Sequence, residues 1–217
     1  LIFNEIEKIE IAIRSSIVSN ACEFFNDPYW ITDSKYFMSP DKFKKTLSLI
    51  DKELEHSKED FIIHFRSKYS DTYPPAWILA EILSFGTLMN VYYNLRNITV
   101  QKKIATEFGL QVKQFESWMT IVTLTRNSCC HHARVWNKQN TMLPMEPKHI
   151  TRPWISLSTD KLRVYYDLCI IKWFLDCISP NNILKDKICK LLAEYPCIDI
   201  SAMGFPADWL KEELWKG

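Results

Sequence analysis

The chain has 217 residues, 47% of them hydrophobic, which is enough to bury a substantial core and excludes an intrinsically disordered chain. Its formal net charge is +1, a balance that does not by itself mark a nucleic-acid binder. Only four glycines occur and few segments alternate with period two, so the expected fold class is all-α.

Residues 2–22 place Ile6, Ile9, Ile13, Ile17 and Ala21 at steps of three and four, one face of a helix. Arg14 lies within this pattern, and on the residues alone it reads as a surface arginine. Residues 26–40, with Asp27-Pro28 and Ser39-Pro40, read as a loop, and Ser39 is a cap candidate for the next helix. Residues 41–69 form one or two charged amphipathic helices, with His56 and His64 as solvated helix residues. After Tyr73-Pro74-Pro75, a strongly apolar helix spans 77–95, with a bend or a close helix contact at Gly86. A short helix covers 100–108 and stops at Gly109. The next runs from about Val112 to about Trp136. Residues 138–158 hold three prolines and form a long loop with Lys138, Lys148, His149 and Arg152, either clamping a ligand or solvated. Helices follow at 160–178 and 182–194, and the tail packs its tryptophans on the bundle.

No apolar run reaches the ~18 residues of a membrane span, and no signal-peptide pattern is present, so a cytoplasmic protein is expected. The seven cysteines (Cys22, Cys129, Cys130, Cys169, Cys177, Cys189 and Cys197) are odd in number, and several fall in apolar runs, which predicts reduced, core-filling thiols.

The chemistry concentrates in Arg126-Asn127-Ser128-Cys129-Cys130-His131-His132-Ala133-Arg134-Val135-Trp136-Asn137. On a continuous helix, Asn127 and His131 share a face, His131 neighbours Arg134, and His132 pairs with Trp136. Arg126 and His131 are five apart, ~140° around a regular helix. Either the helix starts or bends near Arg126, or a second copy of the chain completes the site. Histidine exchanges protons near neutral pH, and arginine binds phosphate oxygens through a planar fork. The pair suits attack of an RNA 2′-hydroxyl on its own phosphate, without a metal. The charge distribution agrees. Residues 96–163 hold 11 Lys and Arg against 4 Asp and Glu, a net of +7, whereas 1–95 and 164–217 carry −4 and −2. Cys-Cys-His-His is too contiguous to wrap a zinc ion, so no metal and no cofactor is expected.

Arg126-Asn127-Ser128-Cys129-Cys130-His131 fits the Arg-Asn-x-x-x-His signature of the HEPN ribonuclease superfamily. The run through Asn137, with Ile9–Arg14, Pro75-Ala76-Trp77, Leu83–Gly86 and Met203–Trp209, resembles the Abi-like family of bacterial abortive-infection proteins (the AbiD/AbiF type). That resemblance implies a HEPN-like helical bundle over 1–150 with a C-terminal helical extension, 151–217, packed on the same core. It implies a homodimer and an endoribonuclease of phage defence. Arg126, Asn127 and His131 would be catalytic, and His132, Arg134, Lys138, Lys148 and Arg152 would bind RNA. A small structured RNA would be the regulatory partner; no DNA and no membrane partner is expected. Cys130 stands where the family more often has a small residue. Family members also carry a segment before the Ile9–Arg14 stretch, so a preceding segment is expected. Two other readings remain open on the residues alone: a non-catalytic RNA-binding module, and a purely structural polar network.

Overall fold

Helix is the only regular structure in the computed structural model, which describes residues 1–148 and 150–216; His149 lies outside the described residues. The described residues form nine α-helices, no strand, and one isolated bridge between Phe37 and Leu95. The helices are α1 (Ile2–Phe25), α2 (Pro40–His56), α3 (Asp60–Lys68), α4 (Ala76–Ile82), α5 (Phe85–Tyr93), α6 (Ile98–Glu107), α7 (Val112–Cys130), α8 (Val164–Ile178) and α9 (Leu184–Glu194). The all-α class expected from the sequence is therefore the observed one. The chain divides into two compact units, Leu1–Ile11 with Ala105–Gly217, and Ala12–Ile104.

The unit of Ala12–Ile104 packs α2 against α4 and α5. The predicted stripe of α1 supplies Ile13, Ile17 and Ala21, all fully buried. Ser39 caps α2, accepting the Lys42 N–H at 3.3 Å. The predicted 77–95 helix is two helices. The break falls at Leu83-Ser84, where the Ser84 hydroxyl accepts from Thr87 N–H and caps α5. Gly86 lies inside α5 with open space around it, so neither a bend nor a close contact is its role. Glu53 of α2 accepts from the Ser84 N–H (2.6 Å) and the Thr87 hydroxyl (2.6 Å), fixing the start of α5. Arg14 points at the end of α4, donating to the carbonyls of Ala80 and Leu83, orphan acceptors of a helix terminus.

The other unit is built on α7 and α8, which pack together. They run antiparallel: Thr125 meets Asp167, Trp118 meets Trp173, and Phe115 meets Phe174. Phe115, Trp118, Met119 and Val122 of α7 and Trp173, Phe174 and Leu175 of α8 are all fully buried. Each such aliphatic or aromatic side chain contributes on the order of 1.5–3 kcal/mol of burial. A second aromatic cluster joins Tyr165 to Phe205, Trp209 and Trp215, as the packing of the tail tryptophans required. Gly109 ends α6 with φ +67, where a Cβ would lie 2.7 Å from the Thr151 hydroxyl, so no other residue fits without displacement. Glu5, 1% exposed, is held by Lys187 (2.5 Å) and Lys8 (2.7 Å), whose hydrogen bonds outweigh its burial and lower its pKa.

The thiols depart from the expected core-filling role. All seven are free, but only Cys169 is buried; Cys197 is exposed and the rest are half-buried. Among the described residues no helix is long and apolar enough to cross a membrane.

Candidate functional site

Helix α7 is regular from Val112 through Arg126 and stops at Cys130, six residues short of the predicted end. His131 is its C-cap, with φ −91 and ψ 15. The stop is a Schellman arrangement. His132 N–H donates to the Cys129 carbonyl (3.2 Å), and Ala133 N–H reaches back to the Ser128 carbonyl (2.8 Å). His132 takes the left-handed position (φ 52) that glycine usually fills. Two expectations fail with the helix: His132 and Trp136 do not form an i,i+4 pair, and Arg134 is not one helical step from His131. The chain instead turns outward, and Asn137 also adopts a left-handed backbone (φ 48).

The regular helix settles where Arg126 and His131 point. The buried face of α7 carries Phe115, Trp118, Val122 and Thr125. His131 lies nearly opposite that face, ~40° from Asn127, while Arg126 sits on its flank. His131 and Asn127 are both exposed, and neither side chain makes a hydrogen bond to the described residues. Arg126 is half-buried. Its Nε lies 3.4 Å from Glu10 Oε2 of α1, and the two side chains are 28% and 14% exposed. The pair is close enough for attraction but misaligned for a hydrogen bond, since Arg126 Nε is buried without one. Of the two explanations the spacing allowed, a helix start at Arg126 is excluded, since α7 runs on from Val112 to Cys130.

The remaining predicted residues divide by place. His132 and Arg134 are exposed beside His131 in the turn. Lys138 folds back on the motif helix, its Nζ donating to Ser128 Oγ at 3.0 Å. Lys148 is exposed, and its charge helps lower the pKa of Glu146, after the larger effect of the Lys161–Glu146 hydrogen bond. Arg152 is not brought to the motif. Its guanidinium donates to the Asp176 carbonyl (2.8 Å) near the end of α8, nine residues beyond the Asp167 that meets Thr125. That places it ~13 Å along α8 from the motif end. Among the described residues no group of three or more His, Cys, Asp and Glu could hold a metal ion.

Beneath the motif lies a network that the sequence reading missed. Asp167 of α8, 3% exposed, accepts from Asn140 Nδ2 on both oxygens (2.9 and 2.8 Å) and from Thr125 Oγ1 (3.4 Å). Burial pushes its carboxyl up to about 6, against the opposing pull of Asn140, Thr125 and the Lys138 charge. Arg163 Nη1 donates to Asn137 Oδ1 at 3.1 Å. A readable signal existed for Asp167: an acidic residue inside the apolar run Val164–Leu175 needs a partner. Glu10 was also missed, although it sits beside the Ile9 and Ile13 of the buried stripe.

Fold and site together define an all-α protein that ends its longest buried helix but one in an exposed Arg-Asn-x-x-x-His segment. More particularly, the chain belongs to the Abi-like protein family, whose model matches residues 1–137 and so ends on Asn137 of the motif. Membership associates it with abortive infection, a form of phage defence. The chain matches no curated protein and no solved structure.

Proposed function

We propose that this protein is a metal-independent HEPN-type endoribonuclease of abortive infection, acting as a homodimer that brings two motif segments together. The observation that carries the reading is His131: an exposed imidazole at a helix end, with no side-chain hydrogen bond among the described residues, near Asn127 and the exposed cation Arg134. His131 would move the proton of an RNA 2′-hydroxyl as it attacks the adjacent phosphate, leaving a 2′,3′-cyclic phosphate. Arg126 would stabilise charge on the phosphate oxygens, and Asn127 would orient substrate or imidazole. Glu10 would hold the Arg126 side chain in place. His132, Arg134, Lys138 and Lys148 would guide the RNA backbone, with Arg152 serving a more distant stretch. RNA is also the proposed regulatory partner, as a small structured species restraining a cytoplasmic toxin.

Dimerisation is supported by two features. With α7 continuous to Cys130 and His131 at its C-cap, helical spacing sets Arg126 and His131 ~140° apart, which favours a site completed by a second copy. Two large apolar side chains are also exposed in or next to the motif segment, Leu124 on the His131 side of α7 (40%) and Trp136 (51%). The test is incubation of mixed RNA with the protein in EDTA, followed by mapping of cyclic-phosphate ends. Cleavage that disappears in His131→Ala is expected; cleavage at full rate in that variant removes the mechanism.

A second reading is a non-catalytic RNA-binding module, and the Arg126–Glu10 pair favours it, because the carboxylate offsets part of the charge a transition state would use. It predicts salt-dependent RNA binding lost in Arg126→Ala, no cleavage, and no effect of His131→Ala.

A further inference from the structure

We propose that Asp167 is a positioning residue for the motif, and that the part of the chain outside the family match acts by clamping it. The inference rests on the reading of Arg126 and His131 as catalytic. Thr125 immediately precedes Arg126, and Asn140 comes three residues after Asn137. The Asp167 carboxylate takes a hydrogen bond from each, so it holds both ends of the segment that contains every motif side chain. Asn140 is held a second time, its backbone N–H donating to the Leu162 carbonyl at 2.8 Å. Inside the clamped segment, the Lys138–Ser128 and Arg163–Asn137 hydrogen bonds fix the return path of the turn.

The clamp matters because the turn is otherwise held by its Schellman backbone bonds and by the Lys138–Ser128 and Arg163–Asn137 bonds, with no burial of its first four residues. Residues 131–134 are all exposed, and the helix has ended. Two residues of the turn, His132 and Asn137, occupy left-handed backbone conformations, which are uncommon outside glycine although Asn and His tolerate them better than most. An unclamped segment of this kind samples many arrangements, and a site that must align an imidazole with a phosphate loses rate when its groups stray by about 1 Å. The chemistry of the clamp also argues for a task beyond packing. Asp167 has Val164, Leu168, Ile170 and Ile171 as buried neighbours on α8; the Lys138 charge acts on it, but among the described residues no Lys, Arg or His forms a salt bridge with it. Its partners are two neutral donors, and a buried carboxylate so placed is a burden on stability that an apolar residue would not impose.

The test uses the full chain with labelled histidine, in which the ring signals of His131 and His132 are assigned by substitution. Asp167→Ala and Asn140→Ala should both shift and broaden those two signals, leaving His56 and His64 of the other unit unchanged. Asp167→Asn, which keeps an acceptor for Asn140, should restore them in part. In RNA cleavage, kcat should fall by roughly 10–100-fold in the alanine variants with KM within about threefold. Unchanged His131 and His132 signals in both alanine variants would overturn the proposal. So would loss of all histidine signals in Asn140→Ala, which would make the network a plain requirement for folding. If the wild-type protein cleaves no RNA, the catalytic reading fails, and the histidine signals still decide whether the clamp exists.

Discussion

Replacing Asp167 by Asn removes a titrating group from the core without changing its shape, and the consequence depends on pH in a defined direction. Burial raises the folded carboxyl from 3.8 to about 6. Between those values the folded state binds more protons than the unfolded state, so wild-type stability falls as pH rises through that window and is flat above it. The full difference corresponds to ~3 kcal/mol, most of it developed between pH 4 and pH 7. Asparagine does not titrate. The melting temperature of Asp167→Asn minus that of the wild type should therefore climb with pH. For a chain of this size, at 2–4 °C per kcal/mol, the climb is roughly 5–10 °C from pH 4 to pH 7. Taking the pH dependence of the difference cancels any constant effect of exchanging one carboxylate oxygen for an amide nitrogen. Thermal melts followed by circular dichroism at several pH values are sufficient. A flat difference would refute the reasoning. A difference that falls with pH would show that Asn140 and Thr125 over-compensate the burial and hold the carboxyl below its ordinary value.

Three further outcomes are expected. Glu10→Ala and Arg126→Ala should each destabilise the fold, and the double variant should cost less than their sum by about 1 kcal/mol, since both side chains are only partly exposed; chemical denaturation of the four proteins measures this. His132→Gly should raise stability by about 1 kcal/mol by relieving the left-handed backbone at the end of α7, and any accompanying loss of RNA affinity would assign the imidazole to substrate. Thiol labelling of the native protein should reach Cys197 first and Cys169 only after unfolding, with burial holding the Cys169 thiol far above the usual range.

Much of the fold was legible because its signals are local. The isoleucine stripe of α1, the Ser39 cap of α2 and the Gly109 stop of α6 each depend on residues within a turn of one another. The end of α7 was not legible for the same reason. No glycine, asparagine or proline marks it, and a histidine takes the left-handed position, so the polar run to Trp136 continued to look helical. The 77–95 run read as one helix with a bend or close contact at Gly86, whereas it breaks at a serine cap braced by Glu53, a residue 31 positions away. At the site, the sequence located the motif side chains but not their supports. Glu10, Asn140 and Asp167 act through contacts between distant segments, and composition around Arg152 could not show that its guanidinium reaches the far end of α8.

Mixing two inactive variants tests most directly whether the motif works across a dimer. Arg126→Ala and His131→Ala proteins, each without cleavage activity alone, are combined, subunits are exchanged, and cyclic-phosphate ends on RNA are counted in EDTA. If each site takes its arginine from one copy and its histidine from the other, half the dimers are mixed and carry one intact site of two, so activity returns to about a quarter of wild type. A mixture that stays inactive although subunit exchange is complete would contradict the shared site.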